Sequence, residues 1–295
     1  MTDNAVILYS RSADNRNAQL YNTMLQHLRM RGCRVVVPTQ LFEQLHQLSI
    51  AHADILEKLD TEPSKVEALA VFSIGGDGTF LEAARLMMGS DVPVLGINNG
   101  RLGFLSDVAE QNVPEAIDSV LAGNYRLGSL DVISLYANDE RTPIDFALNE
   151  FAVSKCDNAS MLTIHAYIDG EYLTTYWADG LIIATAAGST AYSLSVGGPI
   201  VCPSTPNLII TPVAPHNLNV RPLIVPSGSV VQLRIEGRGP NILASLDGRN
   251  HVMDNGCRLR IAKAPFSVKV VQLQSHSFFA SLREKLMWGA DMRNH

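Results

Sequence analysis

Ala68-Leu69-Ala70-Val71-Phe72-Ser73-Ile74-Gly75-Gly76-Asp77-Gly78-Thr79-Phe80-Leu81-Glu82-Ala83-Ala84-Arg85-Leu86-Met87 reads as a strand, a glycine turn and a helix. That arrangement brings backbone N–H groups against phosphate oxygens. Gly75, Gly76, Gly78 and Thr79 are the candidate phosphate-binding residues. Thr79 and Glu82 fit a capping box, S/T-x-x-E, at the helix start. A phosphate repels a bare carboxylate, so Asp77 in this turn calls for a role: holding Mg²⁺, or taking a proton from an attacking hydroxyl. The plain alternative is a tight turn and nothing more. The stretch is neither G-x-G-x-x-G nor a P-loop, since no Lys-Ser/Thr follows the glycines.

Upstream, Ala5–Tyr9 reads as a buried strand, Asn15–Arg31 as a helix closed by Gly32, Cys33–Val37 as a second strand, and Gln40–Leu59 as a helix. Downstream, Val92–Ile97 is a strand and Pro114–Leu121 a helix, with Pro114 suited to its first turn. Alternating strands and helices predict an α/β domain over residues 1–126 with a mostly parallel, Rossmann-like sheet. Ligands of such sheets sit beyond the carboxyl ends of the strands, where the glycine turn falls.

The pattern changes near residue 125. Val132–Tyr136, Phe151–Ser154, Met161–Ile168, Leu181–Thr185, Asn207–Val213, Val230–Ile235, Cys257–Ile261 and Val268–Gln272 read as strands. Asp169-Gly170, Ser227-Gly228, Asp247-Gly248 and Asn255-Gly256 supply turns. Residues 127–275 are therefore expected to form an all-β, sandwich-like domain. Ser277–Met287 reads as an amphipathic helix, and a terminal helix within 276–295 is expected to pack back on the first domain.

The chain has 295 residues, 46% of them hydrophobic, and a formal charge of −6. Such a charge argues against a nucleic-acid footprint, which is normally basic. Cys33, Cys156, Cys202 and Cys257 lie far apart, as reduced thiols do. The first residues lack a basic n-region, and no apolar run approaches the roughly 20 residues of a spanning helix. A cytoplasmic protein that binds neither nucleic acid nor membrane is expected.

Three further stretches carry chemistry. Asn98–Leu105 follows a strand, and Phe104 is placed to stack on a base or close a lid, or to sit in the core under a loop. Asn149-Glu150 offers an amide and a carboxylate suited to a vicinal sugar diol, or a solvated loop. Asp179–Pro199 ends a β run in Gly188-Ser189-Thr190 and continues with small and hydroxyl residues to Gly197-Gly198-Pro199. Ser189 or Thr190 is placed to cap a short helix over Ala191–Leu194. The small residues make a smooth wall for a flat ligand, or a close-packed turn. His216 has no H-x-x-x-H partner and reads as structural.

Together, Gly75–Gly78, Asn149-Glu150 and Asp179–Pro199 resemble the NAD kinase family, as does Pro215-His216-Asn217-Leu218 with Arg221-Pro222. The glycine turn by itself is shared with diacylglycerol-type lipid kinases and phosphofructokinases. The resemblance implies phosphoryl transfer from ATP, or inorganic polyphosphate, to the 2′-hydroxyl of the adenosine ribose of NAD. It implies Asp77 as proton acceptor, the Gly78 backbone beside the ligand, and Asn149 and Glu150 on sugar hydroxyls. It further implies Asp179 at the nicotinamide half, and Thr190, Ala191, Tyr192, Ser193, Leu194 and Ser195 along the adenine and ribose pocket. Mg²⁺ would travel with the donor phosphates, with no metal fixed by the protein, and a homodimer or homotetramer is implied. Trp177 stands where many members carry arginine, and Ala186-Ala187 where Pro-Thr or Pro-Ser is common, so Ala187 would offer only its backbone. Glu82 replaces a basic residue found in some members, and Arg249 sits where a polar residue can reach the ligand. The rival readings are a lipid kinase using the same turn and a dinucleotide-binding regulator without turnover.

Overall fold

The structure, a computed structural model, describes residues 4–100, 103–138, 140, 143–156, 161–274 and 277–287. Arg101, Leu102 and residues 288–295, the last part of the expected terminal segment, lie outside the described residues. The chain divides into two compact units: Met1–Ser129 with Val268–His295, and Leu130–Ser267.

The first unit opens with β1 (Ala5–Tyr9), α1 (Ala18–Met30), β2 (Arg34–Val37), α2 (Thr39–Gln47) and β3 (Leu56–Lys58). It continues with β4 (Val71–Ile74), α3 (Asp77–Leu86), β5 (Val94–Ile97) and α4 (Val113–Leu121). The strands are parallel in the order β3-β2-β1-β4-β5. The order reverses at β1, so the carboxyl ends of β1 and β4 mark the crevice where such sheets take ligands. Leu20, Met24, Leu25 and Leu28 recur at helical spacing and bury one face of α1 against Val6, Val35, Phe72 and Leu95, with α2 and α4 on the same cluster. Ala83, Leu86 and Met87 of α3 face Ile7 and Val71. The centre of the sheet is thus covered on both sides, which is why β1, β4 and β5 are buried along almost their whole length, whereas the edge strand β3 exposes Glu57 and Lys58.

The expected helix over Gln40–Leu59 stops at Gln47. Ser49 and His52 adopt left-handed φ values of 51° and 64°, which no helix continues through, and Leu56–Lys58 pairs with β2.

The second unit contains β6 (Arg126–Ala137), β7 (Asp145–Ala147), β8 (Glu150–Lys155), β9 (Leu162–Ile168), β10 (Glu171–Ala178) and β11 (Gly180–Thr185). The short helix α5 (Tyr192–Ser195) follows, then β12 (Asn207–Val213), β13 (Leu223–Pro226), β14 (Val231–Glu236), β15 (Asn241–Leu246), β16 (Arg249–Asp254) and β17 (Arg258–Gln272). Strands β6 and β17 cross the unit boundaries. One antiparallel sheet runs β10-β9-β14-β17, with β6 beside β17 and β7 beside β6; the other runs β13-β12-β11-β8-β15-β16. Phe151, Leu181, Ile210 and Leu246 of one sheet share a core with Ile133, Ile164, Leu233 and Ile261 of the other, which makes the unit a sandwich.

The expected strands Cys257–Ile261 and Val268–Gln272 are one strand, β17. Residues 268–275, read in sequence with the β-rich domain, group with the first unit, where Val270 pairs in parallel with Val94 of β5. The final helix is α6 (Phe278–Leu286), in the first unit. Its Leu282 is buried, whereas Leu286 is exposed.

Candidate active site

In the first unit, α3 begins at Asp77 itself, with Gly76 as its N-cap. The expected capping box therefore does not form, because the helix starts too early for Thr79 to cap it. Thr79 is buried, and a Cβ on Gly75 would lie 2.4 Å from its hydroxyl. Glu82 instead accepts from the Tyr9 hydroxyl at 3.0 Å and from Arg11 at 2.9 Å. Burial works against the Glu82 charge, but these two donors outweigh it and hold the carboxyl below its ordinary range. Burial, then the bond to Glu82, raises the Tyr9 phenol to about 12.

Gly75 is not a phosphate donor, because its N–H is spent on the Ile97 carbonyl at 2.8 Å. The Thr79 N–H goes to the Gly76 carbonyl at 2.9 Å. The amides of Asp77 and Gly78 open the helix, where N–H groups have no intrahelical acceptor. The Arg11 guanidinium reaches the Gly78 carbonyl at 3.1 Å and adds a cation at the same spot.

The Asp77 carboxylate clasps the following loop. Oδ2 accepts the Phe104 N–H at 2.9 Å, and Oδ1 accepts those of Leu105 at 2.9 Å and Ser106 at 3.0 Å. The chain passes so close that a Cβ on Gly103 would lie 2.0 Å from Oδ1. Lys285 Nζ of α6 stands 3.6 Å from Oδ2 and 4.3 Å from the centre of the Phe104 ring. Phe104 also meets Phe278, with ring centres 6.2 Å apart. A carboxylate has about four lone-pair positions. Three are taken by N–H groups, and one on Oδ2, the oxygen beside the ammonium, is left. The Asp77 side chain is 31% exposed, so that position is reachable.

In the second unit, Glu150 opens β8 and Asn149 immediately precedes it. Both are buried, yet Asn149 Oδ1 and Glu150 Oε2 have no hydrogen-bond partner among the described residues. Their backbone is held from two sides. Asp247, in the β15–β16 turn, accepts from Leu148 N at 2.7 Å, Asn149 N at 2.8 Å and Glu150 N at 3.1 Å. Thr185 of β11 donates its hydroxyl to Leu148 O at 2.6 Å and its N–H to Asn149 O at 2.8 Å. Gly188 lies so near that a Cβ would sit 2.1 Å from Asn149 O. Burial, then the charge of Asp247, raises the Glu150 carboxyl to about 7, although the Tyr192 N–H bonded to it works the other way. Burial also raises Asp247, against the pull of its three N–H donors.

A cavity of about 370 Å³ opens beside Glu150, lined also by Tyr192, Ser245, Gly248 and Asn250. Tyr192 is exposed on α5, Thr190, Ala191 and Leu194 are half-buried, and Ser195 is exposed. Ala187 is buried. Ser193 does not present its side chain to a pocket: it is fully buried, and its hydroxyl pairs with that of Thr211 at 3.0 Å. Neither expected cap of α5 forms, because Ser189 Oγ bonds the N–H and carbonyl of Val201 and Thr190 Oγ1 donates to Ala187 O. Asp179 is paired with Lys155 Nζ at 2.7 Å, and Trp177 is half exposed on β10. Arg249 is not free for a ligand, since its guanidinium forks onto Asp145 at 3.0 and 3.2 Å and also bonds Phe146 O. Among the described residues no three His, Cys, Asp or Glu side chains group as a metal site.

Sequence reasoning missed Arg11, Asp247 and Lys285. Asp247-Gly248 reads only as a hairpin turn, and nothing in the sequence points Lys285 toward the glycine turn.

Residues 5–125 match the family described as ATP-NAD kinase N-terminal domain, and residues 148–273 match ATP-NAD kinase C-terminal domain. The chain belongs to the NAD kinase family. It is 39% identical to an NAD kinase of Cytophaga hutchinsonii, over 97% of this chain and 99% of that protein. It is 43% identical to one of Bacteroides fragilis, over 92% and 93%. The fold is similar to that of yeast NADH kinase in complex with NADH, with a TM-score of 0.87, 24% identity, and 99% and 90% of the chains covered. It is also similar to that of an Archaeoglobus fulgidus NAD kinase in complex with ATP, with a TM-score of 0.73, 23% identity, and 96% and 98% covered.

Proposed function

We propose that this chain is an NAD kinase that moves the γ-phosphoryl group of ATP to the 2′-hydroxyl of the adenosine ribose of NAD. The bond formed joins the ribose oxygen to phosphorus, the β–γ phosphoanhydride bond breaks, and the products are NADP and ADP. Asp77 takes the hydroxyl proton. The observation that carries this reading is the remaining lone-pair position on Asp77 Oδ2, exposed at the start of a helix, with the Arg11 and Lys285 cations nearby. Chemistry of this kind rests on positioning and charge neutralisation, and it needs one base on the acceptor side.

Asn149 and Glu150 are assigned to sugar hydroxyls. Their unpartnered oxygens are acceptors, which a vicinal diol satisfies and a lipid tail does not. Tyr192 is assigned to stacking on the base. Magnesium is proposed to enter with the donor phosphates, whose charge it would neutralise. A homodimer or homotetramer is part of the reading, supported by exposed Leu218, Leu223 and Ile224 in the second unit, and light scattering tests it. A cytoplasmic setting is likewise proposed. No helix among the described residues is long and apolar enough to cross a membrane.

The test is direct. Incubation with ATP, Mg²⁺ and NAD is expected to yield NADP. NAD binding without NADP would favour a regulator, and phosphorylation of diacylglycerol instead would favour a lipid kinase.

A further inference from the structure

We propose that Asp247 is the positioning residue of the dinucleotide subsite: its carboxylate grips three successive backbone N–H groups and so aims the side chains of Asn149 and Glu150. The inference rests on the NAD kinase reading above. A two-residue hairpin turn needs no such grip. Asp247 and Gly248 have φ values of 46° and 79°, as a type I′ turn requires, and the β15–β16 ladder closes without help from the side chain. The Asp247 side chain instead turns to the segment entering β8 and takes the N–H groups of Leu148, Asn149 and Glu150.

Two of those N–H groups belong to residues whose side chains are short of a partner. Asn149 Oδ1 and Glu150 Oε2 are buried and unpartnered among the described residues. An orphaned acceptor costs about 1 to 3 kcal/mol unless something satisfies it. Glu150 borders a cavity of about 370 Å³, so its orphaned oxygen is a built acceptor for a hydroxyl donor, and the preceding residue, Asn149, carries the second orphaned acceptor. Asp247 on one side and Thr185 on the other thus fix the backbone from which the two side chains spring. Asp247 touches no substrate in this scheme and acts through the pair.

The same unit offers a control. Asp169-Gly170 is also a type I′ turn, and Asp169 Oδ1 accepts the Val230 N–H at 2.8 Å, but it sits between β9 and β10 with no orphaned acceptor among its partners. The charged group that acts on Glu150 is Asp247 on the β15–β16 turn, which is itself influenced by Arg249 on β16; Arg249 and His251 both bind Asp145. The Tyr192 N–H of α5 also bonds Glu150.

Steady-state kinetics of full-length Asp247→Asn, varying NAD and ATP separately from about pH 5.5 to about 9, test the proposal. An amide turns an N–H toward N–H donors, so the grip loosens. The KM for NAD is expected to rise by about tenfold or more. The KM for ATP should stay within about twofold, and the pH at which the NAD KM changes should move downward, because a negative neighbour of Glu150 is gone. Asp169→Asn is expected to lower stability and leave both KM values alone. If Asp247→Asn does not fold, Asp247→Ser keeps one acceptor and should show the same split. An NAD KM and pH profile equal to wild type in either variant, or an equal loss for both substrates, overturns the proposal. Wild-type protein that makes no NADP would sink the kinase reading itself, and this inference with it.

Discussion

Asp77 and Asp247 do the same thing with their oxygens in different surroundings. Each binds three consecutive backbone N–H groups of a distant segment, residues 104–106 in the first unit and 148–150 in the second. Asp247 is half-buried, its carboxyl raised by burial against the pull of those amides, and its charge in turn raises Glu150. Asp77 is about one-third exposed, with an ammonium 3.6 Å away and helix-opening amides beside it. A carboxylate that grips backbone can thus serve architecture or chemistry. The three donors leave one position on Oδ2 in each case, so what decides is what stands beside the carboxylate: an ammonium and helix-opening amides at Asp77, a second carboxyl group at Asp247.

The largest expected effect breaks the comparison at Asp77. Asp77→Asn removes the proton acceptor, and turnover should fall at least about a hundredfold. Dinucleotide binding, measured by calorimetry, should persist, because Asn149 and Glu150 are untouched. Unchanged turnover would leave Asp77 with the architectural role alone, like Asp247.

Gly103→Ala attacks the grip without altering the carboxylate. The new methyl would lie 2.0 Å from Oδ1, so the loop or the aspartate must move. Overpacking of this kind costs about 1 to 3 kcal/mol, and a displaced base should lower kcat by at least about tenfold. Thermal melts and kcat together check it: a stability loss with normal kcat would show that the loop contact does not place Asp77.

How much of this was legible follows from where the partners lie. The β4–α3 turn announces itself, because the glycines and Asp77 are neighbours in sequence. The grip of Asp247 does not, because its partners are 97 to 99 residues away. Strands facing a core on both sides, such as β1 and β11, are visible as apolar runs. Strand β10, Glu-Tyr-Leu-Thr-Thr-Tyr-Trp-Ala, and β16, in which no residue is buried, carry no such run and were missed. The Asp169-Gly170 and Asp247-Gly248 turns set their pairing with β9 and β15, and β10 buries only Tyr176 and Ala178. The long helix expected to Leu59 failed on two left-handed residues, Ser49 and His52, which helical spacing does not register.

Lys285→Met sharpens what the ammonium adds at Asp77. A partly exposed ion pair at 3.6 Å contributes little to stability. A cation beside the transferring phosphoryl group should matter more to turnover, and a loss of between about three- and tenfold is expected. The wild-type rate should fall with added salt more steeply than that of the variant. Equal salt dependence would remove Lys285 from the chemistry.

The smallest effect on the reaction, and the most diagnostic of the buried side, is at Glu150. Its carboxyl is raised from 4.5 to about 7, first by burial and then by Asp247. A group whose folded value lies above its unfolded value adds stability that is complete below the unfolded value and lost as pH rises through the folded one. Wild type should therefore lose stability between about pH 4.5 and about pH 7 from this group, on the order of 3 kcal/mol across the window. Glu150→Gln cannot ionise and should escape that loss, so its stability relative to wild type climbs over the window and then levels. Urea melts at about pH 5 and about pH 8 read the difference. The ionised form is the one that accepts two hydroxyl donors, so the wild-type KM for NAD should improve as pH passes about 7, while Gln gives a flat and few-fold weaker profile. A stability gap that stays constant would mean that Glu150 ionises freely in the fold. The second carboxylate grip would then surround an ordinary surface acid and not a poised sugar acceptor.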